Sequence, residues 1–408
     1  MDRMKKKIVI IGGGQAGYSV AARLRADGFD GRVTLVCAER ELPYQRPPLS
    51  KKYLLGELEP ERLYLRPRQF YDENEIELLA GCRCVSIDPD RRRAGLDGTD
   101  LDYDDLVIAT GASPRPLPDQ LGGGLPGVHT VRTIEDIDSM AGELTDGMNI
   151  LVVGGGYIGL ETAASLASRG CSVVVVEMAD RILQRVAAPE TSDYFRELHG
   201  SHGVRILEST SLARLLAGPD GRVSGALLQD GSALDVDLAV IGIGIAPTTG
   251  LAASAGLETD NGISTDALGR TSAPGIWAAG DCASFPLGDR RIRLESVQNA
   301  IDQAELVAAN IMGAEREYAP VPWFWSDQFA AKLQIAGLGT GHDRIITRRQ
   351  QGSDAASFWY FAGDELLAVD AINDSRSYMV GKRLLETGKS AEPAVIADSS
   401  TNLKSLLR

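Results

Sequence analysis

Two stretches of the chain share one arrangement of glycines. Gly12, Gly14 and Gly17 lie in IVIIGGGQAG (residues 8–17), and Gly154, Gly156 and Gly159 lie in ILVVGGGYIG (150–159). Each triplet follows an apolar run, opens a helix-like stretch, and so fills the three places of a G-x-G-x-x-G turn between strand and helix. Such a turn brings backbone N–H groups close to a pyrophosphate at a helix N-terminus and keeps side chains out of the way. A lone hexapeptide of this kind often marks only a turn, but here the context repeats. After the first copy, AARLRADGF reads as helix and RVTLVCAE as strand, ending at Glu39; after the second, LETAASLASRG and CSVVVVE repeat the plan and end at Glu177. An acid at that strand tip is placed to accept hydrogen bonds from an adenosine ribose. Tyr157 and Ile158, between the second copy's glycines, belong to the same turn. Two dinucleotides in one chain imply a hydride handed from one redox cofactor to another, most economically from a nicotinamide to a flavin.

The elements that position these turns are also readable. DLVIATG (105–111) is an apolar strand ending in Ala109, Thr110 and Gly111, and the SPRPLP that follows breaks regular structure, which sets a boundary near 114. DLAVIGIGIAP (237–247) is its counterpart in the second copy, closed by glycines that include Gly244 and by a proline. Ala109–Gly111 and Gly244 are therefore assigned to the first and second nucleotide sites. GRTSAPGIWAAGDCA presents Asp281 at a strand end, and LESVQNAIDQAELVAANIM (294–312) follows at helical spacing. That Asp can receive a polar ligand chain, and the helix N-terminus a developing negative charge. From about 321 the texture becomes alternating strands, including PWFWSDQ, AKLQIAG and SFWYFAGDELLAVDAI, with GDE as a hairpin turn. The expected fold is α/β: a discontinuous Rossmann-like domain (1–114 and 247–320), a second inserted between its halves (115–246), and a C-terminal α/β domain (321–408). The polar end SSTNLKSLLR is expected to be mobile.

With 408 residues the chain is long enough for two or three cores. Its net charge of −14 argues against a sequence-independent grip on nucleic acid or an anionic membrane. MDRMKKK followed by an apolar run superficially resembles a secretion signal, but Gly12 interrupts the run and the segment already reads as the first strand. No uninterrupted apolar stretch approaches the roughly 18 residues of a membrane helix, so a soluble, cytoplasmic protein is expected. The five cysteines (37, 82, 84, 171, 282) show no C-x-x-C and no zinc spacing, and read as reduced, packed thiols. Cys82 and Cys84 would alternate on one strand and face the same side. The four histidines show no metal spacing, and no metal is expected.

In combination, IVIIGGGQAG, PYQRPPLSKKYL (43–54), ATGASPRP, VVGGGYIGLETA, WAAGDCA, ESVQNAIDQA and PWFWSDQ resemble the FAD-dependent ferredoxin reductases of bacterial oxygenase systems. These include the putidaredoxin reductase type and the reductases of Rieske dioxygenases, within the glutathione reductase-like superfamily. The resemblance covers nearly the whole chain. It implies FAD on the first fingerprint and Glu39, with Arg46 and Lys51 beside the cofactor, Asp281 on its ribityl chain, and Val297 and Trp325 near its ring. It implies NADH on the second fingerprint and Glu177. Glu161 would pair with Lys51, keeping that lysine oriented and charged where the flavin accepts hydride. Disulfide reductases of the superfamily use a cysteine pair next to the flavin, and peroxide-reducing relatives a single cysteine. ELPYQRPPLSK here has neither. Electrons would instead leave singly toward a [2Fe-2S] ferredoxin.

Such partners are usually acidic, so at least one of three arginine clusters is expected to line the docking face: Arg62, Arg66 and Arg68; Arg290, Arg291 and Arg293; or Arg344, Arg348 and Arg349. A carboxylate at Glu177 favours NADH, while Arg181 and Arg185 keep NADPH open. Rubredoxin reductase, and a flavin-bearing NADH sensor resembling apoptosis-inducing factor, are the alternatives.

Overall fold

The computed structural model describes residues 5–350 and 352–407. Residues 1–4, part of the segment read above as the approach to the first strand, and residues 351 and 408 lie outside the described residues. Contacts group the chain into two units, Met1–Arg46 with Glu59–Ser113 and Ala246–Pro320, and Pro47–Leu58 with Pro114–Ile245 and Val321–Arg408.

The first unit is built on a parallel sheet in the order Ile276–Ala278, Asp105–Ile108, Lys7–Ile11, Arg32–Cys37, Ile76–Ala80. Both faces are covered, which is why these strands read as continuous apolar runs. Ile8 and Ile10 face one way, into a core shared with the helices Gln15–Ala26 and Val297–Ile311. Val9 and Ile11 face the other, toward Ile87, Ala94 and Leu96 of an antiparallel sheet, Cys84–Asp88, Arg93–Leu96 and Thr99–Asp102. Cys82 precedes that sheet's first strand instead of alternating with Cys84 on it, because the chain is still turning at Gly81.

In the second unit the order of four strands recurs, read from the opposite edge, with Val128–His129 at the far edge: Arg205–Leu207, Ser172–Val176, Asn149–Val153, Leu238–Ile241, Val128–His129, all parallel. In both sheets the strand leading into the glycines lies between the strand preceding the acid and the strand that returns from later in the chain. Residues 323–372 add an antiparallel sheet in the order Trp323–Gln328, Ala331–Gly337, Glu365–Ile372, Ala356–Ala362, Arg344–Arg349. The helix Ser375–Glu386, capped by Asp374, packs Tyr378, Val380 and Leu384 against Trp359, Phe361 and Val369. Leu333, Phe358 and Ile372 form a separate core with Leu160, Ile182 and Phe195. The C-terminal end expected to be mobile is fastened. Leu403 is buried in the helix core, and the Arg348 guanidinium donates to the carbonyls of Asp398, Ser399 and Thr401.

Pro47–Leu58 joins the second unit through polar contacts. Tyr53 Oη donates to Asp138, Ser165 Oγ to the Ser50 carbonyl, and Arg169 to the Leu54 carbonyl, at 2.7 to 2.8 Å. These bonds fix the backbone on either side of Lys51.

One buried carboxyl makes stability depend on pH. Asp370 accepts from Tyr360 Oη at 2.5 Å and Thr191 Oγ1 at 2.7 Å, and burial pushes it up to about 6. A carboxyl raised in the folded state contributes stability below its ordinary value of 3.8, and loses that contribution as pH rises through about 6. A shift of this size is worth about 3 kcal/mol at one pKa unit per 1.36 kcal/mol. His199, lowered by burial to about 4, has the opposite slope, with stability present above 6.5 and lost as pH falls. The difference between wild type and Asp370→Asn cancels the histidine term. Urea unfolding is expected to show wild type losing about 2.4 kcal/mol relative to Asp370→Asn between pH 4 and 7; parallel pH profiles would refute this.

Candidate functional site

The first glycine turn is shaped by contacts that exclude side chains. Gly12 has φ +119, and a Cβ there would lie 2.1 Å from the Ala109 carbonyl oxygen. A Cβ on Gly17 would lie 1.9 Å from the Gly12 oxygen, and one on Gly13 would lie 2.3 Å from Cys37 Sγ. Gly14 is different: a Cβ would meet nothing within 4 Å among the described residues. It is the N-cap of Gln15–Ala26 and gives the helix no side-chain cap, so the first N–H groups face open space that only a backbone without side chains leaves. Ala109 closes the turn from the neighbouring strand, and Thr110 Oγ1 donates to the Thr248 carbonyl at 2.7 Å, holding Gly111 in place.

Around this turn stand the acids and bases expected there. The strand ends at Cys37, two residues before Glu39, because pairing with Ile76–Ala80 stops at Cys37. Glu39 accepts from Tyr44 Oη at 2.5 Å and from Arg46 at 2.6 Å. A carboxylate has about four acceptor positions, so both contacts leave capacity for ribose hydroxyls. Arg46 also feels the charge of Asp281. Asp281 follows Gly280, whose Cβ position is 2.9 Å from Ala16 Cβ in the first helical turn, and Gln303 accepts from the Gly280 N–H. Val297 is half-buried at the first position of its helix, whose N-cap Ser296 accepts from Asn299. Glu39, Arg46 and Asp281 thus gather near the first fingerprint, and this donor and acceptor set fits a dinucleotide.

The second turn repeats the geometry. Cβ atoms on Gly154 and Gly159 would lie 2.4 Å from the Gly242 oxygen and 2.2 Å from the Gly154 oxygen, while Gly156 is open and leaves Tyr157–Ser168 without a side-chain cap. Glu177, one residue past its strand, accepts from the N–H groups of Gly155 and Ala179, both at 2.7 Å. The acid is tied to the glycine turn itself, which sequence did not reveal. The Tyr157 ring packs on Phe324 at 4.6 Å between centroids with its hydroxyl buried, so what Tyr157 offers a phosphate is its N–H. Ile158 is exposed beside it. Of the two arginines, Arg181 is bonded to Ser192 and the Gln184 carbonyl, whereas Arg185 Nη1 comes within 3.7 Å of the Cβ position of Gly244.

Lys51 and Glu161 meet at 2.6 Å, with side-chain exposures of 18% and 3%. Lys51 Nζ also donates to the Pro47 carbonyl at 3.0 Å. Glu161 accepts from Ser50 Oγ on one oxygen and Ser326 Oγ on the other, each at 2.7 Å. Both serines were missed from sequence although each sits in a motif quoted above, next to Lys51 and next to Trp325. Strand alternation sends Trp325 to the face opposite Ser326, where it is half-buried with Trp323 at 5.8 Å.

The arginine clusters do not survive as free sets. Arg291 is spent on the carbonyls of Thr265 and Ser284, Arg293 on Glu295 and the Asp281 carbonyl, and Arg348 on the C-terminal segment. Arg68 pairs with Asp72, and Arg66 lies over Phe70. Arg290 pairs with Asp289 and Arg344 with Asp364, both at the surface, and Arg62 and Arg349 are exposed as well. All five cysteines are free, and burial pushes the thiols of Cys37 and Cys84 up to about 12 and 11, which makes them inert. Among the described residues no helix is long and apolar enough to cross a membrane.

Residues 6–304 match the family described as pyridine nucleotide-disulphide oxidoreductase. The chain belongs to this family. Residues 323–407 match a second one, reductase C-terminal. As a pyridine nucleotide-disulphide oxidoreductase it is 43% identical to rhodocoxin reductase of Rhodococcus erythropolis over 97% of this chain and 93% of that one. The ferredoxin reductase for the CYP199A2 system from Rhodopseudomonas palustris superposes with a TM-score of 0.96 at 40% identity, covering 99% of this chain and 100% of that one. The covalent putidaredoxin reductase–putidaredoxin complex gives a TM-score of 0.95 at 39% identity, with 99% of each chain covered. The family is an oxidoreductase family, and its two nucleotide turns are both present here with their steric requirements intact.

Proposed function

We propose that this protein is an NADH-dependent, FAD-containing reductase that passes electrons to a [2Fe-2S] ferredoxin serving an oxygenase, either a haem-thiolate monooxygenase or a Rieske dioxygenase. The observation that carries the reading is the buried Lys51–Glu161 pair in a chain with two open glycine cradles and unpaired cysteines. The likeness to reductases whose names and complexes include a redoxin supports the partner class. Residues 1–114 with 247–320 form the FAD-binding domain in this reading, 115–246 the NAD-binding domain, and 321–408 a C-terminal α/β domain. Five free thiols support a cytoplasmic location.

The chemistry supplied by the two cofactors when bound is two-electron transfer from the nicotinamide and one-electron release toward an iron–sulfur protein. The chain's own work is binding, orientation and charge. Gly12, Gly14 and Gly17 with Ala109, Thr110 and Gly111 hold one pyrophosphate, Glu39 and Arg46 the ribose side, and Asp281 the polar chain of FAD, with Val297 and Trp325 assigned to its ring. Gly154, Gly156, Tyr157, Ile158, Gly159 and Gly244 hold NADH, and Glu177 its ribose. Lys51 presents a positive N–H donor to the flavin, and Glu161 fixes where that donor points.

Glu177 decides the coenzyme in this account. Its carboxylate repels a 2′-phosphate, and neutralising it removes that discrimination. Glu177→Gln is expected to reduce the kcat/KM preference for NADH over NADPH at least tenfold, which is about 1.4 kcal/mol. An unchanged ratio would remove Glu177 from the ribose site. Reconstitution tests the whole reading: the purified protein should bind FAD tightly, turn yellow, and be bleached anaerobically by NADH. A protein that stays colourless with FAD would contradict it.

A further inference from the structure

Glu161 is the end of a longer buried chain. Ser326 Oγ donates to Glu161 Oε1 at 2.7 Å, Gln328 Nε2 lies 3.2 Å from Ser326 Oγ, and His199 Nε2 lies 2.8 Å from Gln328 Oε1. Ser326, Gln328 and His199 are wholly buried. The acceptor at one end dictates every proton along the line. The Glu161 carboxylate can only accept, so the Ser326 proton goes to it. Ser326 must then accept from the Gln328 amide, which turns the amide oxygen toward His199 and requires a proton on Nε2. His199 fits that role: burial lowers it to about 4, so it is neutral at neutral pH, and its Nδ1 is buried without a partner among the described residues. Donors in series polarise one another, and all of these point at Glu161. Phe329, in the hairpin turn directly after Gln328, has φ +52, and its ring meets those of His199 at 5.1 Å and His202 at 3.8 Å.

We propose that His199 and Gln328 are positioning residues for the Lys51–Glu161 pair, holding Ser326 on Glu161 Oε1 so that Oε2 stays aimed at Lys51. This rests on the reading that the pair acts on the flavin. His199 and Gln328 are wholly buried and connect to Glu161 through Ser326, so their removal is expected to act through Glu161.

The test uses the FAD-loaded protein and four variants beside Glu161→Gln: His199→Phe, His199→Gln, Gln328→Leu and Ser326→Ala. Three readouts are taken: the limiting rate of flavin reduction by NADH in stopped flow, the apparent NADH dissociation constant from the same traces, and the visible spectrum of the oxidised flavin before NADH is added. His199→Phe, Gln328→Leu and Ser326→Ala are expected to lower the limiting rate about tenfold, leave the NADH constant unchanged, and shift the flavin bands. His199→Gln keeps a terminal N–H donor and is expected to restore both rate and spectrum. Ser326→Ala loses only a hydroxyl, so it remains informative if His199→Phe fails to fold. Variants that lose only thermal stability, with wild-type rate and spectrum, would make the chain mere packing and overturn the inference. If Glu161→Gln slows reduction while these variants do not, only the inference falls; if Glu161→Gln itself is indistinguishable from wild type, the reading of the pair falls and the inference with it.

Discussion

Glu161→Ala is expected to destabilise the protein by about 3 kcal/mol and to slow NADH-driven flavin reduction about a hundredfold. The stability estimate is the low end of the roughly 3–5 kcal/mol for breaking a buried ion pair, because Lys51 keeps some access to water while Glu161 has almost none. The substitution leaves an ammonium group and the hydroxyls of Ser50 and Ser326 without their acceptor. The rate estimate corresponds to about 2.7 kcal/mol of lost orientation at 1.36 kcal/mol per decade. Glu161→Gln keeps an acceptor for one serine and should cost less stability than Glu161→Ala. Lys51→Met should match Glu161→Ala, since it buries a carboxylate without its cation. Urea unfolding and anaerobic stopped flow measure the two effects separately. Variants within 1 kcal/mol of wild type and equal to it in rate would show that the pair is only a structural contact.

The second large effect separates the two nucleotide sites. Gly14 and Gly156 are the two fingerprint glycines whose Cβ positions meet nothing, so alanine fits the protein at both. It does not fit a pyrophosphate seated against the helix N-terminus. Gly14→Ala is therefore expected to fold, circulate as a stable protein, and lose FAD affinity by at least a hundredfold, about 2.7 kcal/mol. Gly156→Ala should remain yellow and raise the NADH dissociation constant by a similar factor. Gly12→Ala and Gly17→Ala behave differently, because their Cβ atoms would lie about 2 Å from backbone oxygens; these variants should lose stability with or without cofactor. Flavin titration by fluorescence quenching and circular dichroism melts distinguish the classes. Loss of FAD from Gly156→Ala, or of NADH binding alone from Gly14→Ala, would exchange the assignments.

What sequence made legible follows the range of the interactions. Both glycine turns, their strands and helices, and the acids after them are local patterns of about 30 residues, and all were readable. So was the change to antiparallel strands after residue 321, because alternation and the GDE turn are local as well. The Lys51–Glu161 contact spans 110 positions and was reached only through the family resemblance. Ser326 is 165 positions from Glu161, and His199 is 129 from Gln328. Nothing in their spacing announces a shared network, and His199 has no metal-like neighbours to draw notice. Where the arginines of each cluster point was hidden for the same reason. Three arginines close in sequence look like a charged patch, but where each guanidinium goes depends on distant carbonyls such as those of Ile396 and Asp398 near Arg348. The polar C-terminal end looked loose because its anchors, Leu403 and Arg348, are separated by 55 residues.

The most direct test of the central claim is anaerobic stopped-flow mixing of the FAD-loaded protein with NADH, followed by an oxidised [2Fe-2S] ferredoxin. Fast bleaching of the flavin by NADH and prompt reoxidation by the ferredoxin are expected. Slow bleaching, or a long-lived reduced complex that ignores the ferredoxin, would contradict it and favour a sensor of the nicotinamide pool.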